Sequence, residues 1–274
     1  MRPIDPLVSA AWLQARRGEP GLRIVDVRWR LGQPGAGRKL YDAGHLPGAV
    51  YLDVDGDLAG PPGSGPGRHP LPTPARFAEA MARAGVGDST RVVAYDDQGG
   101  AIAARLWFLL RYFGHETGAV LDGGLAAWPG PLTADVPAFP RAPFTARPHP
   151  ELVVDRQVVA RGGALVLDAR APERYRGDLE PVDPKAGHIP GALSAPFAGN
   201  LDGSGRFLPR ERLRERFAAL GATAGREIIA YCGSGVTACN DLLALELAGV
   251  PAKLYEGSWS DWSSDPAAPV AQGD

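Results

Sequence analysis

The residues best placed to do chemistry in this chain are Cys232-Gly233-Ser234-Gly235-Val236-Thr237-Ala238. They follow an apolar run, Ile228-Ile229-Ala230-Tyr231, that has the length and character of a short buried strand. After them, apolar positions 236, 239, 243 and 247 keep helical spacing until Gly249. A cysteine at such a strand-to-helix turn, with two glycines in the next three residues, lies where backbone N–H groups can converge on its sulfur. Those donors and the positive end of the helix favour an anion, a thiolate or a persulfide, over a neutral thiol. That is the setting of a nucleophile. The plain alternative is a small core residue beside a tight turn, and the rest of the chain has to decide.

The elements that would position this loop come from a 274-residue chain, long enough for two ordinary domains or one large one. Its 45% hydrophobic and 22% charged residues are the balance of a globular protein. A net charge of −2 gives no electrostatic case for nucleic acid or an anionic membrane as partner. Two cysteines are too few for a disulfide framework, and no cysteine or histidine cluster has zinc-ligand spacing, so neither metal nor cofactor is expected. Pro3 and Asp5 stand where a signal peptide would begin its apolar core, and no apolar stretch reaches membrane-spanning length. The expected compartment is cytoplasmic and reducing, where a reactive thiol survives.

The second half of the chain repeats the first. Ile24-Val25-Asp26-Val27-Arg28 corresponds to Val166-Leu167-Asp168-Ala169-Arg170, and Gly44-His45-Leu46-Pro47-Gly48-Ala49 to Gly187-His188-Ile189-Pro190-Gly191-Ala192. Val92-Val93-Ala94-Tyr95-Asp96 matches Ile228-Ile229-Ala230-Tyr231-Cys232, and Leu121-Asp122-Gly123-Gly124 matches Tyr255-Glu256-Gly257-Ser258. Each half alternates short apolar strands with helical segments, which predicts an α/β fold with a parallel sheet covered on both faces. Thr73-Pro74 has the form of a helix start, and the apolar run from Ala101 to Phe113 predicts a deeply buried helix ending at Gly114. Residues 129–150 carry seven prolines and predict a semi-extended linker over the domain surface. The expected division is therefore 1–136, a linker at 137–150, and 151–274.

The repeat also separates chemistry from scaffold. His45 and His188 occur in both halves and are expected to be structural, whereas Cys232 faces Asp96 at its matching position. The chemistry is one-sided. Cys239, two helical turns beyond Cys232, fits a packed core thiol, with a resolving cysteine as the alternative.

Four elements in order, Asp168-Ala169-Arg170, Gly187-His188-Ile189-Pro190-Gly191-Ala192, Cys232 to Ala238, and Glu256-Gly257-Ser258-Trp259-Ser260-Asp261-Trp262, together resemble the tandem rhodanese sulfurtransferases over essentially the whole chain. The resemblance implies two rhodanese-like domains, the first catalytically silent. It implies that Cys232 takes a sulfane sulfur from a small donor as a persulfide and passes it to a thiol, such as thioredoxin or a low-molecular-weight thiol, or to cyanide. Gly233, Gly235, Val236 and Thr237 then line the substrate, with Ser234 in the same loop. That loop looks like the 3-mercaptopyruvate branch of the family, which implies a Ser234–His69–Asp55 relay, the last two from the first half. Arg174 matches a substrate-binding arginine. One departure stands out: Val182 occupies the place of the branch's second arginine, with Arg176 and Lys185 as the candidates to replace it.

Thiosulfate:cyanide transfer is the alternative activity, and a persulfide carrier serving a protein partner is a further one. A cysteine phosphatase needs a longer loop with an arginine near its end, and none occurs between Cys232 and Lys253. A thiol–disulfide oxidoreductase needs Cys-x-x-Cys, which is absent.

Overall fold

The structure is a computed structural model, and it describes residues 4–223 and 225–274. Backbone contacts divide it into two units. One takes the chain up to Gly60 with Pro72–His149 and Gly203–Arg206; the other takes Pro61–Leu71, Pro150–Asp202 and Phe207–Asp274. These boundaries differ from the expected 1–136, 137–150 and 151–274. The segment carrying His69 groups with the second unit, and the proline-rich stretch up to His149 groups with the first.

In the first unit the strands are β1 (Leu7–Val8), β2 (Leu22–Asp26), β3 (Ala49–Tyr51), β4 (Arg91–Tyr95) and β5 (Gly118–Leu121). They form one sheet in the order β1-β5-β4-β2-β3, with every pairing parallel. The helices that return the chain are α1 (Ala10–Arg16), α2 (Ala36–Ala43), α3 (Pro74–Arg83) and α4 (Ala103–Tyr112). The signals read from sequence act locally as expected. Thr73 accepts the Arg76 N–H (3.3 Å) ahead of Pro74, and α4 buries Ala103 through Leu110. The proline-rich stretch is strapped to this unit by Ala142, Arg147 and His149 N–H bonds to the carbonyls of Ala82, Phe113 and Tyr112. Phe144 meets Phe77 edge-on at 5.5 Å.

The second unit repeats the plan with β6 (Val153–Val154), β7 (Leu165–Asp168), β8 (Leu193–Ser194), β9 (Ile228–Tyr231) and β10 (Lys253–Tyr255). Its parallel sheet runs β6-β10-β9-β7-β8, the same order as the first. Its helices are α5 (Arg156–Arg161), α6 (Pro172–Arg176), α7 (Arg210–Ala219), α8 (Ala238–Ala248) and α9 (Ser258–Trp262). Continuous apolar strands are what a sheet covered on both faces requires, and β7 and β9 are buried along their whole length.

The duplicated polar residues hold the sheets in matching ways. Asp26 and Arg28 form a buried ion pair of 2.6 Å, as do Asp168 and Arg170. Arg28 also donates to the Gly44 carbonyl, and Arg170 to that of Gly187, so each pair ties a strand end to the following Gly-His turn. His45 stacks on Tyr41 at 3.7 Å and contacts its carbonyl, while His188 does the same with Tyr175 at 3.8 Å. Both histidines are scaffold, as their duplication suggested.

Candidate active site

Cys232 follows directly on β9, and only 1% of it is exposed. Its N–H donates to Ser258 Oγ (3.1 Å), and its carbonyl accepts the Trp259 N–H (2.9 Å). The next carbonyl, of Gly233, accepts the Ser260 N–H (2.8 Å), so the start of α9 grips the chain on both sides of the sulfur. Ser258 holds φ +53°, the one non-glycine in the left-handed region among the described residues. At its matching position in the first half stands Gly124, at φ +54°. A side chain there costs about 1–2 kcal/mol, offset by a hydroxyl that also donates to the Tyr255 carbonyl (2.9 Å). Gly235 takes φ +77°, and a Cβ on it would lie 2.5 Å from the Glu256 carbonyl oxygen, so only glycine closes the turn.

The two halves show what this turn holds. In the first half the Asp96 carboxylate sits in it and accepts four backbone N–H groups, from Gln98 (2.8 Å), Gly100 (2.9 Å), Ile102 and Ala103 (both 2.7 Å). Burial pushes the Asp96 carboxyl pKa up, and those four bonds pull it back down. In the second half, among the described residues, no backbone carbonyl accepts the N–H of Gly233, Ser234, Val236, Thr237 or Ala238. The turn that is filled by a carboxylate at 96 is therefore open to receive negative charge at 232.

His69 and Ser234 come together within the second unit, His69 Nδ1 lying 2.7 Å from Ser234 Oγ with both side chains buried. The contact depends on Gly67, at φ +71°, whose Cβ would meet the Gly257 carbonyl at 2.4 Å. Lacking one, the 61–71 segment lies against the turn that grips Cys232, and the Arg68 N–H donates to Ser260 Oγ (3.0 Å). α8 begins after Thr237 with no side-chain cap, so Ser234 is not spent on the helix end. Asp55, the third expected relay member, belongs to the first unit, where its Oδ2 accepts the Trp29 indole N–H (3.0 Å).

Two guanidinium groups converge beside the cysteine. Arg174, on α6, uses Nη2 on Glu180 (2.6 Å) and Asp183 (3.1 Å), and Arg68 pairs with Asp183 through Nη1. A Cβ built on Gly233 would lie 3.2 Å from Arg68 Nη2 and 3.5 Å from Arg174 Nη1. Neither of those nitrogens donates a hydrogen bond within the described structure. Arg174 was expected from sequence and Arg68 was missed; the available signal was a cation immediately before His69. Burial pushes the Asp183 carboxyl up, against the pull of Arg68 and Arg174.

The expected replacements for the arginine absent at Val182 are corrected here. Arg176 pairs with exposed Asp178, and Lys185 is spent on the carbonyls of Asp265, Pro266 and Ala268. Arg68 supplies the second cation at Gly233 instead. Cys239 is fully buried with its Sγ 3.4 Å from the Gly235 carbonyl, a packed thiol within α8. Among the described residues no cluster of three or more His, Cys, Asp or Glu could hold a metal ion, and no helix is long and apolar enough to cross a membrane.

The rhodanese-like domain model matches the chain twice, over residues 9–130 and 154–265. The chain is 47% identical to a probable 3-mercaptopyruvate sulfurtransferase of Pseudomonas aeruginosa, covering 98% of each protein. It is 40% identical to a putative thiosulfate sulfurtransferase, SseB, of Mycobacterium tuberculosis, covering 97% of each. The crystal structure of SseA from Escherichia coli, a 3-mercaptopyruvate sulfotransferase with the rhodanese fold, superposes with a TM-score of 0.83 at 35% identity. That match covers 94% of this chain and all of SseA.

Proposed function

The chain belongs to the rhodanese-like family, with two tandem domains, and from that premise we propose that it moves the thiol sulfur of 3-mercaptopyruvate, as a Cys232 persulfide, to a thiol or cyanide. The observation that carries this reading is the open N–H turn at Cys232 beside the His69–Ser234 contact and the paired guanidinium groups.

The Cys232 thiolate attacks the donor sulfur, and the C–S bond breaks with its electron pair passing to the pyruvate enolate. The thiol proton moves through Ser234 and His69 to the enolate carbon, so the products are pyruvate and an ionised Cys232 persulfide. Such a relay suits this donor because sulfur leaves one proton behind as carbon gains one. Asp55 is assigned as the third relay member on the strength of the family resemblance alone. The N–H groups of Gly233 to Thr237 hold the persulfide charge. Arg68 Nη2 and Arg174 Nη1 receive the donor carboxylate, the guanidinium geometry being suited to it. In the second half-reaction the outer sulfur passes to cyanide, giving thiocyanate, or to a thiol, giving its persulfide, and the Cys232 thiolate returns. Thioredoxin and small cytoplasmic thiols are the acceptors this chemistry fits. The first half is silent because Asp96 fills its turn.

Thiosulfate is a second reading, favoured by the name of the M. tuberculosis relative. The test is steady-state sulfur transfer to cyanide with both donors, using Cys232→Ser as the blank. The expected result is a kcat/KM for 3-mercaptopyruvate about a hundredfold above thiosulfate, some 2.7 kcal/mol in the transition state. A thiosulfate preference would reverse the donor assignment. Loss of both above the blank would leave only a persulfide carrier.

A further inference from the structure

The guanidinium pair beside Gly233 brings its own buried counter-charges. Asp183 is bonded to Arg68 and Arg174, and its side chain is 2% exposed. Glu180, 3% exposed, pairs with Arg174 and with Arg170, which is already matched to Asp168. The six groups Arg68, Arg170, Arg174, Asp168, Glu180 and Asp183 therefore sum to zero charge. The uncommitted nitrogens Arg68 Nη2 and Arg174 Nη1 offer hydrogen bonds, but behind them stands no excess positive charge.

We propose that Asp183 sets the donor choice by charge: it brings the site to neutrality, so that a monoanion is accepted and a dianion loses the net attraction it would need. The proposal rests on the assignment of this site as the donor site. Its logic is Coulombic. Interaction energy with a fixed buried charge is proportional to the charge of the ligand, so Asp183 penalises a dianion such as thiosulfate twice as much, in energy, as a monocarboxylate such as 3-mercaptopyruvate. The penalty acts at short range from a carboxylate that is 2% exposed, where screening by salt is weak. Asp183 thereby supplies selectivity that the loop residues Gly233 and Ser234, both uncharged, do not.

The experiment compares kcat/KM for the two donors in the unaltered protein, in Asp183→Asn and in Asp183→Glu, with cyanide as acceptor. In a two-step transfer kcat/KM for the donor contains only the first half-reaction, so the acceptor does not enter. For Asp183→Asn the fold-gain for thiosulfate is expected to be the square of that for mercaptopyruvate; a gain of about threefold for one implies about tenfold for the other. Asp183→Glu, which keeps the charge, should keep the unaltered ratio. Equal factors for both donors would mean that Asp183 only holds Arg68 in place, and would overturn the proposal. A second measurement needs no variant: competitive inhibition of the unaltered protein by pyruvate and by sulfate. Sulfate binding no tighter than pyruvate is expected, and sulfate binding tenfold tighter overturns the proposal. Absence of mercaptopyruvate turnover in the unaltered protein would instead defeat the functional assignment, a separate outcome.

Discussion

At the scale of single residues, the His69–Ser234 contact separates proton transfer from sulfur transfer. 3-Mercaptopyruvate carries a thiol proton that must reach carbon; thiosulfate carries none. His69→Ala is therefore expected to lower kcat/KM for mercaptopyruvate by about 10²–10⁴, the span of general acid–base catalysis, and to leave thiosulfate transfer within a fewfold. Parallel assays of the two donors check this, and an equal loss for both would assign His69 to structure. Ser234 should follow His69, because it sits in the loop that carries the sulfur and meets His69 through its Oγ. Much of this site was legible residue by residue. Cys232, Ser234, His69 and Arg174 all fall in short motifs whose local geometry is fixed by glycine and proline. Arg68 was not legible, since a cation in a Gly/Pro-rich stretch looks like a solvated loop charge until the 61–71 segment is seen against the Gly257 turn.

At the scale of elements, α8 joins the Cys232 turn to the core and carries an unusual burden. Asp241, on its first turn, is fully buried; Asn200 Nδ2 donates to its Oδ1 (2.6 Å), and its Oδ2 has no hydrogen-bond partner. Burial raises its pKa from 3.8 to about 7. The folded protein then keeps this proton while the unfolded chain releases it. Stability from this group is fully present below about pH 4 and declines as the pH rises to about 7, by on the order of a few kcal/mol. Asp241→Asn, with the same shape and no ionisation, is expected to flatten that decline. Denaturant midpoints at pH 5 and pH 8 for both proteins check it, and a decline of equal size in the variant would place its origin elsewhere. Sequence showed α8 by its apolar spacing and its closing glycine. It could not show that a carboxyl on the helix would be walled in on every side, because burial of a polar residue depends on which elements pack over it.

At the scale of the whole chain, duplication made the fold readable. Two copies of the same strand and turn motifs identified the sheet plan and marked His45 and His188 as scaffold, and both sheets do run in the same strand order. The division into units was less readable. The proline-rich stretch lacks periodicity and so looks like a spacer, yet its backbone is bonded along the surface of the first unit as far as His149. Composition reports that a segment avoids regular structure; it does not report which neighbour takes up its hydrogen bonds.

The filled turn at Asp96 is a standing picture of the turn at Cys232 after sulfur has been loaded. Charged acceptors of backbone N–H groups are worth about 1.5–3 kcal/mol per bond, and the resting cysteine makes none of those bonds in the described structure. Loading therefore closes a turn that rest leaves open, and the melting temperature becomes a gauge of catalytic state. Each 1 kcal/mol gained should raise it by about 2–4 °C for a protein of this size. Protein treated with donor alone is expected to melt higher than untreated protein and to return to its original midpoint when cyanide is added. Cys232→Ser should stay unmoved through both steps. The first half would then serve as the molecule's own internal standard, a fold copy permanently fixed at the filled end of the cycle that its twin enters and leaves with every turnover.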